Sequence, residues 1–422
     1  MSKQIIAIGK MIRLVSRVRG GGSALPGLVI EKLDPQFLSH MLAQLPLGVV
    51  VISGTNGKTT TTRMVVQLLQ SQGLRVFTNP TGSNFKRGII SAIIEKSRRG
   101  RLDYDIAVLE LDEAHGALFV HDVQPRFCLL LNVTRDQLDR FGEIDTTRTM
   151  LETIASHTTG GVVLNAEDPR ISSIAKVLEQ QTVRFFGLSQ KTRAAFPSDD
   201  ELYTPASPPA SQISPASDVV LKDFKDQSAT FLLGQKTITT NLKLSGAYNL
   251  FNAAAALALV RLICNGNLDE PKLIAALSAV TPAFGRGEKV IVNGAPLELV
   301  LVKNPSGFRL GLSSFSPDGS DTMIAINDHY ADGRDMSWLW DVDFSSLQQA
   351  GVAMVSGIRA YDMALRLQYD DVNSVAVEPR LNRALAQFLA SSQQPKRIFC
   401  TYTAMLHLRK ALTIYASMER AL

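Results

Sequence analysis

Cysteine is scarce, with three residues in 422, at positions 128, 264 and 400, each inside an apolar stretch (RFCLLL, RLICNG, RIFCTY). Such wide spacing excludes a disulfide framework and a four-cysteine metal site, and it reads as reduced core thiols, so no zinc is expected. Long apolar runs are also lacking. No stretch is long enough to cross a bilayer, and the first residues carry charge within their apolar pattern rather than ahead of it. Neither a membrane span nor a secretory signal is read, and the chain is expected in the cytoplasm. A strong charge of one sign is missing too: 44 Lys and Arg against 39 Asp and Glu leave +5, which gives no reason to expect a nucleic-acid partner.

What is present is an ordinary folded composition, 45% hydrophobic and 20% charged, in a chain too long for one core. Short β-rich runs (VVVIS, RVFTN, IAVLELD, FCLLLNV, GVVLN, VRFFGL) alternate with segments of helical period from about 49 to 188. This alternation predicts a mostly parallel sheet covered by helices, an α/β nucleotide-binding architecture. VVLKDF, ATFLLG and TITTNLKL add strands to it, and 248–264 reads as an Ala-rich buried helix. Between them, 189–217 is rich in Ser, Pro and Ala and predicts a flexible surface insertion. A hinge is expected at TPAFG, 281–285, and the alternating units LELVLV, TMIAIN, VAMVSG and RIFCTY then predict a smaller, Rossmann-like α/β domain. The expected division is a helical lead-in at 1–47 packed on the body, a central ATP-binding domain at 48–283 and a C-terminal domain at 284–422.

The lead-in carries Ile5, Ile8, Met11, Ile12, Val15 and Val18 as an approximate helical stripe beside Lys3, Lys10, Arg13, Arg17 and Arg19. Packing of that stripe on the body is the expectation, and contact with a membrane surface is the competing reading.

The chemistry concentrates in VVVISGTNGKTTTTRMVVQLL, a buried strand running through glycines into a helix. Within Gly54-Thr55-Asn56-Gly57-Lys58-Thr59-Thr60 the glycines let backbone amides approach phosphates. Lys58 supplies charge to them, and the Thr59 hydroxyl can bind magnesium.

GTNGKTT resembles the short phosphate loop of the Mur ligase superfamily, in which ATP activates a carboxylate as an acyl phosphate. The resemblance implies a Mur ligase-type central P-loop ATPase domain. LELDEA, 109–114, is similar to the family's acidic strand-end motif, so Glu110, or alternatively Glu113, is expected to join Thr59 in holding Mg²⁺. TNPTGSNFKRGI, 78–89, and NVTRDQLDRFG, 132–142, extend the likeness, and Asn84 is assigned to the nucleotide site. GAYNLFNAAAA, 246–256, resembles the segment whose asparagines, here Asn249 and Asn252, approach adenine. FGRGEKV, 284–290, is similar to the motif that brings an arginine, Arg286, to the phosphates. Two departures stand out: Gln137 replaces a histidine metal ligand, and the position of a carbamylated lysine is taken, by simple counting, by Glu152.

LVKNPSGF, NDHYADGRDMSWLWDVDF, SGIRAYDMALRLQYD and TYTAMLHLRKAL resemble the C-terminal domain of the MurT family. That resemblance implies the ligase subunit of lipid II isoglutaminyl synthase, a heterodimer with a GatD-like glutaminase, acting on lipid II at the inner face of the cell membrane. The reaction implied is ATP-dependent amidation of the stem-peptide D-glutamate α-carboxyl to D-isoglutamine. The family also implies an aspartate lent to the partner's catalytic histidine, with Asp335 or Asp341 expected and Asp332 next. Alternative readings are another amino-acid ligase of the superfamily, akin to folylpolyglutamate or cyanophycin synthetase, and a non-catalytic ATP-binding scaffold.

Overall fold

The computed structural model describes residues 2–18, 25–79, 85–134, 144–193, 195–196, 216–244, 246–282, 286–315 and 317–415. Its first sheet contains β1 (Val49–Ser53), β2 (Val76–Thr78), β3 (Ile106–Glu110), β4 (Phe127–Leu130), β5 (Gly161–Asn165), β6 (Thr182–Leu188), β7 (Val219–Lys225), β8 (Ser228–Leu233) and β9 (Lys236–Asn241). Their order is β2-β3-β1-β4-β5-β6-β7-β8-β9. All pairings up to β6–β7 are parallel, and β7, β8 and β9 continue as an antiparallel meander. Strands β1, β3, β4 and β5 are buried along their whole length, as expected of parallel strands covered on both faces.

On one face lie α4 (Lys58–Ser71) and the helix Ala247–Ile263. Ala253 to Ala256 are wholly buried there, and their small side chains let that helix lie close to α4 and the sheet. On the other face are α1 (Ser2–Val18), α2 (Leu25–Leu33), α3 (Phe37–Leu42), α5 (Lys86–Lys96) and α6 (Glu113–Asp122). No helix among the described residues is long and apolar enough to cross a membrane.

The second sheet comprises β10 (Arg286–Val292), β11 (Ala295–Leu301), β12 (Asp321–Ala325), β13 (Met354–Ser356), β14 (Val377–Glu378) and β15 (Lys396–Cys400), ordered β10-β11-β15-β12-β13-β14. Only the β10–β11 hairpin is antiparallel. Apolar clusters cover both faces, so this sheet has its own core.

Two expectations need correction. Only the start of the stripe on α1 is packed: Ile5 is buried beside Ile6, while Ile8, Met11 and Val15 stand exposed and Ile12 is half-buried. The helix carries two apolar faces, and the one bearing Gly9 packs, because a residue without a side chain leaves room for Ile94. The Val18 side chain lies outside the described residues. The insertion also starts later than 189. Gln190–Arg193 is helical with Thr192 buried, and Phe196 packs on Phe224 and Phe251, which gives this end an apolar anchor.

The helices beneath α1 pack backbone to backbone. The Gly27 N–H of α2 donates to the Ser91 hydroxyl of α5 at 3.0 Å, and a Cβ on Gly27 would run into the Arg87 carbonyl. Gly27→Ala is therefore expected to destabilise the protein by about 1–3 kcal/mol through overpacking, outweighing the gain in helix propensity. Thermal unfolding reads this, and an unchanged midpoint would mean that α2 and α5 do not meet so closely.

Candidate active site

The site forms where β1 ends and α4 begins. Gly54 has φ +130° and Gly57 φ +88°, conformations that side chains resist. Space excludes them too: a Cβ on Gly54 would stand 2.9 Å from the Asn132 nitrogen, and one on Gly57 2.6 Å from the Asn252 Oδ1. The loop is thus squeezed between the segment after β4 and the start of the helix Ala247–Ile263.

Amide side chains fix its backbone. The Asn56 N–H donates to Asn132 Oδ1 at 2.8 Å, and Asn132 Nδ2 returns a bond to the Asn56 carbonyl at 3.0 Å. The Asn56 side chain donates to Thr134 Oγ1 at 2.9 Å and accepts from Asn304 Nδ2 at 3.2 Å. Asn304 belongs to the C-terminal unit, where its Oδ1 caps the helix Pro305–Ser314. Asp168 braces the same region by accepting from the Val133 N–H at 2.7 Å; burial pushes its carboxyl up, against three backbone hydrogen bonds that pull it down.

Lys58 is buried, its ammonium hydrogen-bonded to the Gly54 and Thr55 carbonyls and paired with Glu113 at 3.3 Å. Next to it, the Thr59 hydroxyl donates to Glu110 Oε1 at 2.7 Å. Asn79 holds Glu110 in register by exchanging two hydrogen bonds of 3.0 Å with its backbone. The two acidic candidates therefore have different settings: Glu110 faces the threonine hydroxyl, and Glu113 faces the lysine. Thr59 and Glu110 form a buried pair of oxygen donors that suits a hard divalent cation such as Mg²⁺. Among the described residues no three His, Cys, Asp or Glu gather around one point.

Asn249 and Asn252 are both buried at the start of the helix Ala247–Ile263, the latter against Gly57. Thr55 and Thr60 are buried within the loop and α4. Asn84 and Gln137 lie outside the described residues, as does the side chain of Arg286, whose backbone opens β10. Glu152 pairs with Arg148 at 2.8 Å in the helix Ile144–Ser156. Sequence reasoning missed Asn79, Asn132 and Asn304; NVT after a strand and NPSG before a helix were the available signals.

A second cluster, the acidic segment after β12, sorts its aspartates by what they touch. Asp328 pairs with Arg359 at 2.7 Å. Asp332 is buried and accepts from the Thr403 N–H at 2.7 Å and from its hydroxyl. Asp335, half-buried, accepts from the Ser337 N–H at 2.8 Å, and hydrogen bonds from the Ser337 side chain and backbone hold its carboxyl below the ordinary range. The Asp341 carbonyl, rather than its carboxylate, takes the Arg309 guanidinium. Trp338 is buried in the C-terminal core, whereas Trp340 is half exposed over Tyr369. None of the three cysteines offers a ready thiolate. Burial pushes Cys128 up to about 12 and raises Cys264 and Cys400 as well.

Comparison with known proteins agrees with this geometry. Residues 52–260 match the family described as Mur ligase middle domain, and residues 301–405 match MurT ligase C-terminal. The chain is 28% identical to the "Lipid II isoglutaminyl synthase (glutamine-hydrolyzing) subunit MurT" of Streptococcus pneumoniae, covering 96% of this chain and 95% of that one. It is 29% identical to the protein of the same name from Staphylococcus aureus strain COL, over 90% and 91% of the two chains. Among solved structures, MurF ligase from Thermotoga maritima in complex with ADP superposes with a TM-score of 0.67 at 17% identity, covering 91% of this chain and 84% of that chain.

Gly57→Ala tests the cradle. The positive φ costs alanine about 1–2 kcal/mol, and the added methyl displaces Asn252, so ATP affinity is expected to fall about tenfold or more in titration calorimetry. Unchanged affinity would place the nucleotide elsewhere.

Proposed function

This chain belongs to the Mur ligase family and carries its MurT-type C-terminal domain, and from that premise we propose that it amidates the D-glutamate α-carboxyl of the lipid II stem peptide to D-isoglutamine. The observation that carries the reading is the glycine-cradled Lys58 beside the Thr59–Glu110 pair, joined through Asn304 to a MurT-type unit.

A carboxylate is a poor electrophile because oxide is not expelled from it. Transfer of the ATP γ-phosphoryl to the α-carboxylate gives an acyl phosphate and ADP. Ammonia then attacks the carbonyl carbon, loses a proton, and phosphate leaves with the bonding pair. Backbone N–H groups at the start of α4 and the Lys58 ammonium meet the charge spread over the transferring group. Mg²⁺, held through Thr59 and Glu110, would neutralise phosphate charge. The Asn249–Asn252 end of the helix Ala247–Ile263 lies beside the loop, where a nucleoside would extend.

Nitrogen is the other requirement. The three thiols are raised by burial and so poorly suited to attack glutamine, and in this reading ammonia comes from a GatD-like glutaminase bound to the chain at the inner membrane face. A carboxylate that orients a partner's imidazole must be ionised and held in place while keeping an oxygen to offer. Asp335 fits this role best, its carboxylate held by hydrogen bonds from the Ser337 backbone and side chain. Asp332 is already spent on Thr403, and Asp341 is the second candidate.

Two outcomes test this. Lys58→Ala is expected to abolish amidation with either nitrogen source, whereas Asp335→Asn removes glutamine-driven turnover by about 10²-fold or more and leaves ammonium-driven turnover nearly intact. Product mass with each nitrogen source decides. Parallel loss of both activities in Asp335→Asn would assign the loop to the ligase site or the fold; retention of glutamine use would move the role to Asp341.

Because folding depresses the Asp335 pKa, its contribution to stability is complete above the unfolded value and is lost as pH falls through the depressed folded value. Between neutral pH and pH 5 the Asp335→Asn stability difference is therefore expected to stay constant, then to shrink below about pH 4. Urea titrations at several pH values read this, and a difference that shrinks already above pH 5 would refute the depressed carboxyl.

A further inference from the structure

We propose that α1, with the basic turn beside it, is a docking surface for an anionic phospholipid bilayer. The helix packs through Ile5, Ile6 and Gly9, yet the opposite face presents Ile8, Met11, Leu14 and Val15 to solvent, with Met11 and Leu14 about two-thirds exposed. These positions recur at spacings of three and four and form one apolar strip on a helix already anchored by its other face.

Charge selects the occupant. The chain has no acidic residue before Glu31, while Lys3, Lys10, Arg13, Arg17 and Arg19 fall within the first twenty residues. Beside α1 sits Lys96-Ser97-Arg98-Arg99-Gly100-Arg101, immediately after α5. It is a tight hairpin turn: Arg98 and Arg101 exchange backbone hydrogen bonds of 3.0 Å, with Arg99 and Gly100 both at positive φ. Lys10 Nζ donates to the Ser97 carbonyl at 2.7 Å and Arg13 pairs with Glu95, so the turn is fixed to the basic flank of the helix. Lys96, Arg98, Arg99 and Arg101 are exposed and make no ion pair with a described residue. Arg99 holds a left-handed conformation that glycine would adopt without strain, so a cation sits here at a cost in stability.

An apolar strip beside unpaired cations fits the acyl–headgroup boundary of an anionic leaflet, where apolar side chains insert and basic ones meet lipid phosphates. A soluble protein partner would have to cover the same strip with an acidic surface. The proposal does not rest on the amidation reading, since vesicle binding succeeds or fails whatever the substrate.

The test is co-sedimentation of the full chain with phosphatidylcholine vesicles, with and without phosphatidylglycerol. Binding is expected with phosphatidylglycerol, about tenfold or more above phosphatidylcholine alone and weakening as salt rises. Met11→Asp with Leu14→Asp, and separately Arg98→Glu with Arg99→Glu and Arg101→Glu, should each lower that binding about tenfold or more, with ATP affinity unchanged. Wild-type indifference to phosphatidylglycerol would overturn the proposal. So would full binding by both variants, or a change of oligomeric state in Met11→Asp with Leu14→Asp, which would assign the strip to a protein contact.

Discussion

The loop 54–57 has no room for side chains at its two glycines, and the rest of the molecule is arranged around that lack. The backbone after β4 presses on Gly54, and Asn252 presses on Gly57. Asn56 is bonded to Asn132, Thr134 and Asn304, three points from two separate sheets' surroundings. Each such bond adds on the order of 1 kcal/mol, but leaving a buried amide unpaired costs more, so the network is stable as a whole or not at all. The geometry of this loop is set by amide side chains from three separate segments of the chain.

Asn304 gives the network its reach. One end of the side chain meets Asn56, and the other caps the helix that begins the C-terminal unit. A second tie runs from α4, where Arg63 donates to the Pro282 carbonyl at 2.9 Å and to the Thr281 hydroxyl at 2.6 Å. Both ties start on the loop or on the helix it opens. Rotation of the C-terminal unit would have to break or exchange the Asn304 bond, while the Arg63 bonds hold the central side of the connecting segment, so the position of that unit and the shape of the loop are linked through Asn304.

The strands of the first sheet, and β11, β12, β13 and β15 of the second, are legible in the chain because each is a short β-rich run bounded by turn residues, whereas β10 and the two-residue β14 carry no such run. GTNGKTT marks the loop by its glycines and the Lys-Thr-Thr that follows them. Local pattern cannot reveal which partner an asparagine meets. Asn132 and Asn304 read as the end of a strand and the start of a helix, yet their other bonds run across 76 and 248 residues of chain. Asn79 is hidden in the same way, since its bonds to the Glu110 backbone follow from the β2–β3 pairing rather than from its neighbours. Helix α1 misleads for a different reason: periodicity detects an apolar stripe but does not say which of two such stripes is buried. A single glycine, Gly9, decides it by admitting Ile94.

The acidic segment shows why composition alone could not rank its aspartates. Five carboxylates in sixteen residues look equivalent until the surrounding anchors are known. Arg366 supplies the main anchor: it is buried beneath Trp340 and Phe344, pairs with Asp370 at 2.6 Å, and donates to the Leu339 and Val342 carbonyls. Trp338 adds an aromatic anchor against Phe308, on the helix that Asn304 caps. These anchors hold 338–344 from below, leaving Asp341 half-buried and Asp343 exposed on the outer edge of the segment. The same helix joins that edge to the loop 54–57, so a protein seated on the segment would rest on an element whose capping residue is bonded directly to Asn56.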